Sequence, residues 1–225
     1  MDFLLEIWYT YPSNLRFRGI HMIIKQLSPE EFSEIYLTYM VKDFPDSELK
    51  PLERILETMQ TGLSVTYGFY TERENPSEAL RGYAVFVIPQ GLKYGLLDYL
   101  AILPAYRGSG IGQWFFAEIS QILLQKNPKL QGFFIETEAV TFAPDEVQRQ
   151  VREKRNRFYK RCGCLPAKLG SRLFGVTYMV LYFIIANNLN AENLPNPSRN
   201  DLDDVYKHMF PKYHYERHIA LWEEE

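Results

Sequence analysis

Cysteine is nearly missing from this chain, with two in 225 residues. Cys162 and Cys164 lie one residue apart, so they cannot tie distant segments together, and a secreted disulfide scaffold is excluded. That usage fits a reducing compartment, and a cytoplasmic location is the expectation. Histidine is scarce too, at four residues, and none is spaced to complete a metal site with the Cys162-Gly163-Cys164 pair, so no metal is expected. No apolar run reaches the length of a membrane span. The most apolar stretch, Val176 to Ala186, is strand-sized and contains Thr177, Tyr178 and Tyr182. The amino terminus is Met-Asp and lacks the basic start of a secretory signal. Charge has no dominant sign: 25 Lys and Arg against 28 Asp and Glu leave −3, which gives no reason to expect nucleic acid. No internal repeat is found. Apolar and aromatic residues are plentiful, at 46% and 15%, enough for one full core.

The spacing of apolar residues predicts the order of elements. Residues 1–21 hold Trp8, Tyr9, Tyr11 and Phe17 without a clear period, and read as an extra strand, a hairpin or an extension. Met22 to Gln26 reads as a strand. Ser28-Pro29-Glu30-Glu31 then combines an N-cap, a proline at the first helical position and a glutamate three after the cap. Phe32, Ile35, Tyr36, Tyr39 and Met40 line one face of that helix, and Leu52, Ile55, Leu56 and Met59 line the next. Strands are expected at about 64–71, 80–89 and 94–102, separated by turns at Asn75-Pro76-Ser77 and Pro89-Gln90-Gly91. A glycine-rich loop and a helix follow, then a strand over Gly132 to Glu138, a long helix over 144–161, and strands near 165–174 and 176–186. Asn187 to Asn200 reads as a linker, Asp201 to Phe210 as a short helix, and Pro211 to Trp222 as a segment that docks elsewhere on the fold. The division is a domain over 22–186, an extension before it at 1–21, and a linker with an appendage at 187–225.

The stretch Leu96 to Gln125 organises the rest. It runs strand, glycine loop, helix, and the loop sits where a helix starts and several backbone N–H groups lack intrahelical partners. Such an end attracts phosphate through those donors and the helix dipole. Three phosphate loops come into question. A Walker loop needs Lys after its last glycine, and Gly112 is followed by Gln113. A dinucleotide fingerprint needs a third glycine where Gln113 stands. The pattern Arg/Gln-x-x-Gly-x-Gly/Ala is filled at every position by Arg107, Gly110 and Gly112. This loop, together with the element order from Met22 to Ala186, resembles the GNAT superfamily of acyl-CoA N-acyltransferases. An ordinary glycine turn before a core helix accounts for the loop alone, but not for the order of the whole domain.

The resemblance implies a mixed α/β fold with a centrally splayed sheet flanked by helices and a C-terminal helical extension. It implies acetyl-CoA as co-substrate, its pantetheine arm on the backbone of Leu100, Ala101 and Ile102, and its pyrophosphate on the amides of Arg107, Gly108, Ser109, Gly110, Ile111 and Gly112. Arg157-Phe158-Tyr159-Lys160-Arg161-Cys162-Gly163 resembles the family's aromatic-Tyr-x-x-x-Gly helix end, which makes Tyr159 the proton donor to the departing thiolate. A phenol of pKa near ~10 stays protonated at neutral pH. Glu136 stands where several members carry a proton-accepting glutamate. Leu96 stands where histone-acetylating members carry theirs, which disfavours that subtype. Asp98, Glu136 and Glu138 are the candidates for an acidic mouth toward the acceptor, with ion pairing to Arg or Lys as the plainer account of each. The bases between Arg149 and Arg161 read as a solvated helix face. Two departures from the family pattern stand out: Cys164 where an aromatic is usual and Arg152 where an asparagine often lies.

The expected activity is acetyl transfer from acetyl-CoA to a primary amine by direct attack, with a small cationic amine favoured and a peptide N-terminus left open. The rival expectation is a non-catalytic acyl-CoA-binding or partner-binding module of the same fold. A membrane partner is not expected, and a homodimer is left open.

Overall fold

The computed structural model describes residues 16–17, 19–71, 79–185 and 196–224. The turn at Asn75-Pro76-Ser77, most of the linker and residues 1–15 lie outside the described residues. A short strand β1 (Arg16–Phe17) pairs with β2 (Ile20–Gln26), which starts two residues before the expected Met22. Helix α1 (Pro29–Ile35) begins at Ser28, whose hydroxyl accepts from the Glu31 amide while the Glu31 carboxylate accepts from the Ser28 amide, a reciprocal cap. The helix continues through a π-helical turn (Tyr36–Met40) into α2 (Val41–Asp43). After a loop comes α3 (Leu52–Gln60). Strands β3 (Ser64–Thr71), β4 (Leu80–Val87) and β5 (Tyr94–Ile102) form a meander. Then follow α4 (Ile111–Lys126), β6 (Gly132–Glu138), α5 (Glu146–Arg161), β7 (Leu165–Leu173) and β8 (Val176–Ile184). The C-terminal segment forms α6 (Arg199–Met209), α7 (Lys212–His218) and β9 (Ile219–Glu223).

The nine strands of the described residues join one sheet in the order β1-β2-β3-β4-β5-β6-β8-β7-β9. Every pairing is antiparallel except β5 with β6. The extension expected to be helical thus also supplies an edge strand. Ile219 and Leu221 alternate with more exposed Ala220 and Trp222 along β9, the period of a half-buried strand.

The parallel pair is short. It spans Tyr94 to Leu97 on β5 against Gly132 to Ile135 on β6. Beyond Leu97, β5 stays paired with β4 as far as Ile102, and β6 stays paired with β8 as far as Glu138. The two strands therefore part while each keeps its outer neighbour. A bulge marks the parting point: Val85 faces Tyr99 and Phe86 faces Leu97, so Asp98 has no partner on β4. An extra residue bends its strand and reverses the alternation of side chains. Leu96 and Tyr99 consequently share one face of the sheet, and Leu97 and Leu100 the other.

Helices α4 and α5 cover the second face, where Phe115, Phe116, Ile119 and Tyr159 pack on Phe86, Phe133 and Ile135. On the first face, α1 and α3 lie over Tyr83, Val85 and Tyr99, and α6 lies over Leu96, Phe134 and Val180. Leu202, Val205 and Tyr206 of α6 are fully buried, so this helix belongs to the core. Replacing a buried leucine by alanine removes transfer energy and leaves a cavity. Leu202→Ala is expected to cost ~2–5 kcal/mol in denaturant unfolding; an unchanged midpoint would mean that α6 is not packed on the sheet.

Candidate active site

A cavity of about 1480 Å³ passes through the parting of β5 and β6 and is lined from both faces of the sheet. Its walls include the glycine loop, Leu100 to Ile102, Glu136 of β6, Tyr159 of α5, the loop before α3, and residues of α6 and α7.

The loop end is set by geometry at two glycines. Gly110 caps α4 with φ 87°, a left-handed conformation in which glycine is favoured. A side chain at Gly112 would press on Ile102 and Phe158, each 3.2 Å from the added carbon. Among the described residues, the backbone N–H groups of Gly108 through Gln113 have no hydrogen-bond acceptor. Lys154 and Arg161 line the cavity with this loop. Free amides, a helix N-terminus and two cations form a phosphate-compatible wall.

Arg107 departs from expectation. Its own amide is spent on the Pro104 carbonyl in a 3₁₀ turn, 3.3 Å away, so the run of free donors starts at Gly108. Its guanidinium does not extend freely over the loop either. Nε donates to the Ile102 carbonyl at 2.7 Å, and Nη2 pairs with Asp43 at 3.1 Å. The Ile102 oxygen, expected to serve the thiol arm, thus already accepts one hydrogen bond and keeps one lone pair. Leu100 and Ala101 keep their places on β5, paired with Ala84 and Tyr83, with no strand beside them on the β6 side among the described residues.

Tyr159 sits on the last turn of α5 with its ring against Phe116 and Phe158. It is 7% exposed and lines the cavity. Its hydroxyl has no hydrogen-bond partner among the described residues. Desolvation drives the phenol above its ordinary pKa, so it stays protonated.

Glu136 points to the opposite face of the sheet from Tyr159, toward α6. Oε1 accepts from Ser171 Oγ at 2.7 Å and from the Tyr206 hydroxyl. Oε2 accepts nothing among the described residues. Desolvation raises the carboxyl's pKa, outweighing the two hydroxyl donors and the distant Lys50 charge, which lower it. A carboxylate made more basic in this way is suited to take a proton.

The other two acids are engaged. Asp98, the bulge residue, holds Lys50 Nζ with both oxygens at 2.7 Å. Glu138 is clamped by Arg152 at 2.6 Å and Arg155 at 3.2 Å and is not among the residues lining the cavity. The three carboxylates expected to form an acidic mouth therefore do not form one. Sequence reasoning also missed the loop between α2 and α3. Tyr99 Oη donates to the Glu48 carbonyl at 2.7 Å and accepts from the Lys50 amide at 2.9 Å, and Phe44 meets Tyr99 edge-on. Glu48 itself reaches Arg155 at 3.9 Å, and desolvation and then the nearby Glu138 push its pKa up. This loop ties β5 to α5 across the open end of the gap.

The Glu136 shift has a consequence for stability. A carboxyl whose pKa is raised on folding stabilises the fold fully below the ordinary carboxylate range, and that contribution is lost as pH rises through the raised value. Glu136→Gln keeps a side chain that accepts from both hydroxyls and does not ionise. It is expected to raise the melting temperature relative to wild type at pH 8, with the gain shrinking toward pH 4; a difference independent of pH would show that Glu136 has no raised pKa.

No protein-family model matches the sequence, and no curated protein matches it significantly. Solved structures do match. A protein of Bacteroides thetaiotaomicron assigned to the GNAT family of acetyltransferases aligns over 85% of this chain and 98% of its own, with TM-score 0.55 and 16% identity. A protein of Desulfovibrio desulfuricans assigned to the same family covers 73% of this chain and 99% of its own, at TM-score 0.52 and 16% identity. A spermidine N-acetyltransferase of Vibrio cholerae, solved with CoA and spermine, covers 72% and 95%, at TM-score 0.52 and 10% identity. At such identities the likeness lies in the path of the backbone. The parted parallel strands, the amide-lined loop and these alignments together establish that the chain has the fold of the GNAT acetyltransferases.

Proposed function

We propose that this protein transfers an acetyl group from acetyl-CoA to a small primary amine. The observation that carries the reading is the pairing of an unpartnered Tyr159 hydroxyl with a Glu136 carboxylate of raised pKa, in one cavity with six consecutive free amides. The fold neighbours support it, one of them an N-acetyltransferase solved with CoA and an amine.

Acetyl-CoA supplies the activated thioester. The amides of Gly108 to Gly112, with Lys154 and Arg161, would take the pyrophosphate and neighbouring phosphate charge. The unpaired edge of Leu100 and Ala101 would hold the arm. On the far side of the gap, Glu136 accepts a proton from the acceptor's ammonium, leaving a neutral nitrogen able to attack. Tyr159 gives its Oη proton to the departing sulfur and recovers one from the nitrogen, which sheds its second proton as the amide forms. Arg107 acts as a brace for the loop through Asp43 and Ile102.

Acetyl-CoA is expected to raise the melting temperature in proportion to occupancy. A primary amine should then release CoA thiol in the protein's presence; binding without release over a broad amine panel would favour a non-catalytic module. Tyr159→Phe is expected to lower kcat by ~10²–10⁴ with acetyl-CoA affinity unchanged. A variant of unchanged rate would remove Tyr159 from the role. Tyr206→Phe takes away a donor that lowers the Glu136 pKa. The acidic limb of the kcat/KM profile should therefore move to higher pH, and a limb that stays in place would show that Glu136 is not the group titrating there.

A further inference from the structure

The cavity walls carry Asp43, Glu48, Asp98 and Glu136, beside cations of which Lys154 and Arg161 are taken up by the cofactor's phosphates in the reading above. Three of these four carboxylates already face a cation, Asp43 through Arg107, Glu48 through Arg155 and Asp98 through Lys50. Among the described residues, Glu136 is held by hydroxyls alone. A polyamine would bring several positive charges to a wall with spare negative charge at one point. Charges moved out of water without a partner are disfavoured. The cavity has a place for one ammonium.

The wall on that face mixes aliphatic residues such as Leu63, Leu173 and Met209 with four aromatic rings. The rings are those of Tyr178, Phe174, Phe210 and His214. Phe174 is the unusual member. It opens the two-residue turn between Leu173 and Val176, with φ 49° at Phe174 and 92° at Gly175. Positive φ at both positions favours Asn or Asp first, and a bulky side chain there is strained. The strained residue is anchored: its amide donates to the His218 carbonyl at 3.0 Å, and its ring stacks on His218 at 5.0 Å and approaches Phe210 at 5.7 Å. The residue nevertheless remains 52% exposed. Strain held in place by surrounding contacts, on a half-exposed aromatic lining a cavity, makes Phe174 a candidate ligand contact.

Resting on the acetyltransferase reading above, we propose that the acceptor is a primary monoamine carried on an aromatic body, with its ammonium at Glu136 and its ring against Phe174 and Phe210. The neighbour's polyamine is then the wrong class for this cavity.

The test measures CoA release by the full chain with 2-phenylethylamine, tyramine, putrescine and spermidine. The arylethylamines are expected to exceed the polyamines in kcat/KM by about tenfold or more. Phe174→Gly removes the ring and relieves the strained φ, so it should melt no lower than wild type while raising KM for 2-phenylethylamine by about tenfold and leaving KM for acetyl-CoA in place. Phe174→Tyr should retain the wild-type KM. Equal or better turnover of spermidine, or an unchanged KM in Phe174→Gly, overturns the proposal. So does a protein that acetyl-CoA stabilises but that turns over none of the four amines, an outcome that leaves the cofactor site standing. A protein that acetyl-CoA does not stabilise overturns the transferase reading itself, and this proposal with it.

Discussion

One inserted residue on β5 governs the rest of the structure. With Asp98 bulged out between Tyr99 and Leu97, the strand bends away from β6 after only four paired positions, yet stays bonded to β4 on its outer side. Backbone groups unpaired inside a protein are costly, so a break in a central sheet needs occupants or water. The opening lets side chains of opposite faces share a cavity. Tyr159, packed among the aromatics under α4 and α5, and Glu136, directed toward α6, would otherwise be separated by a continuous sheet.

The opening is braced by charge. Asp98 grips Lys50, whose ammonium also lies 5.9 Å and 5.8 Å from the ring centres of Tyr99 and Phe210. Glu48 on the same loop faces Arg155, which also holds Glu138 at the end of β6. One loop thus spans the mouth of the gap with a contact on either side. Partly buried pairs of this kind contribute more to geometry than to net stability. They also explain why acids plentiful in the local sequence leave so little free negative charge: nearly all of it is spent on keeping the strands where they are.

Local signals were legible in the sequence, and long-range ones were not. The reciprocal cap at Ser28 and Glu31, the glycine start of α4 and the acid-first, base-last pattern of α5 depend on neighbours within a turn, and each appears where expected. The parting of β5 from β6 was accessible only through family resemblance, because a bulge at Asp98 leaves no mark beyond an acid in an apolar strand. Lys50 and Asp98 are 48 residues apart, and Glu136 and Tyr206 are 70 apart, so neither partner could be named from spacing. The π-helical turn at Tyr36–Met40 keeps the apolar face of an α-helix and was hidden for that reason. Strand β9 carried only a short apolar run, Ile219 to Trp222, whose alternation shows in burial and not in residue type, so it could not be told from a docked tail.

The Tyr206 contact has a bearing on how the molecule matures. The glycine loop, the parted strands and Tyr159 are all assembled from residues that precede α6. One of the two donors to the Glu136 carboxylate is not, since it arrives with a helix near the end of the chain. During synthesis on the ribosome, the glycine loop and both parted strands therefore emerge before the carboxylate across the gap can be given its final company.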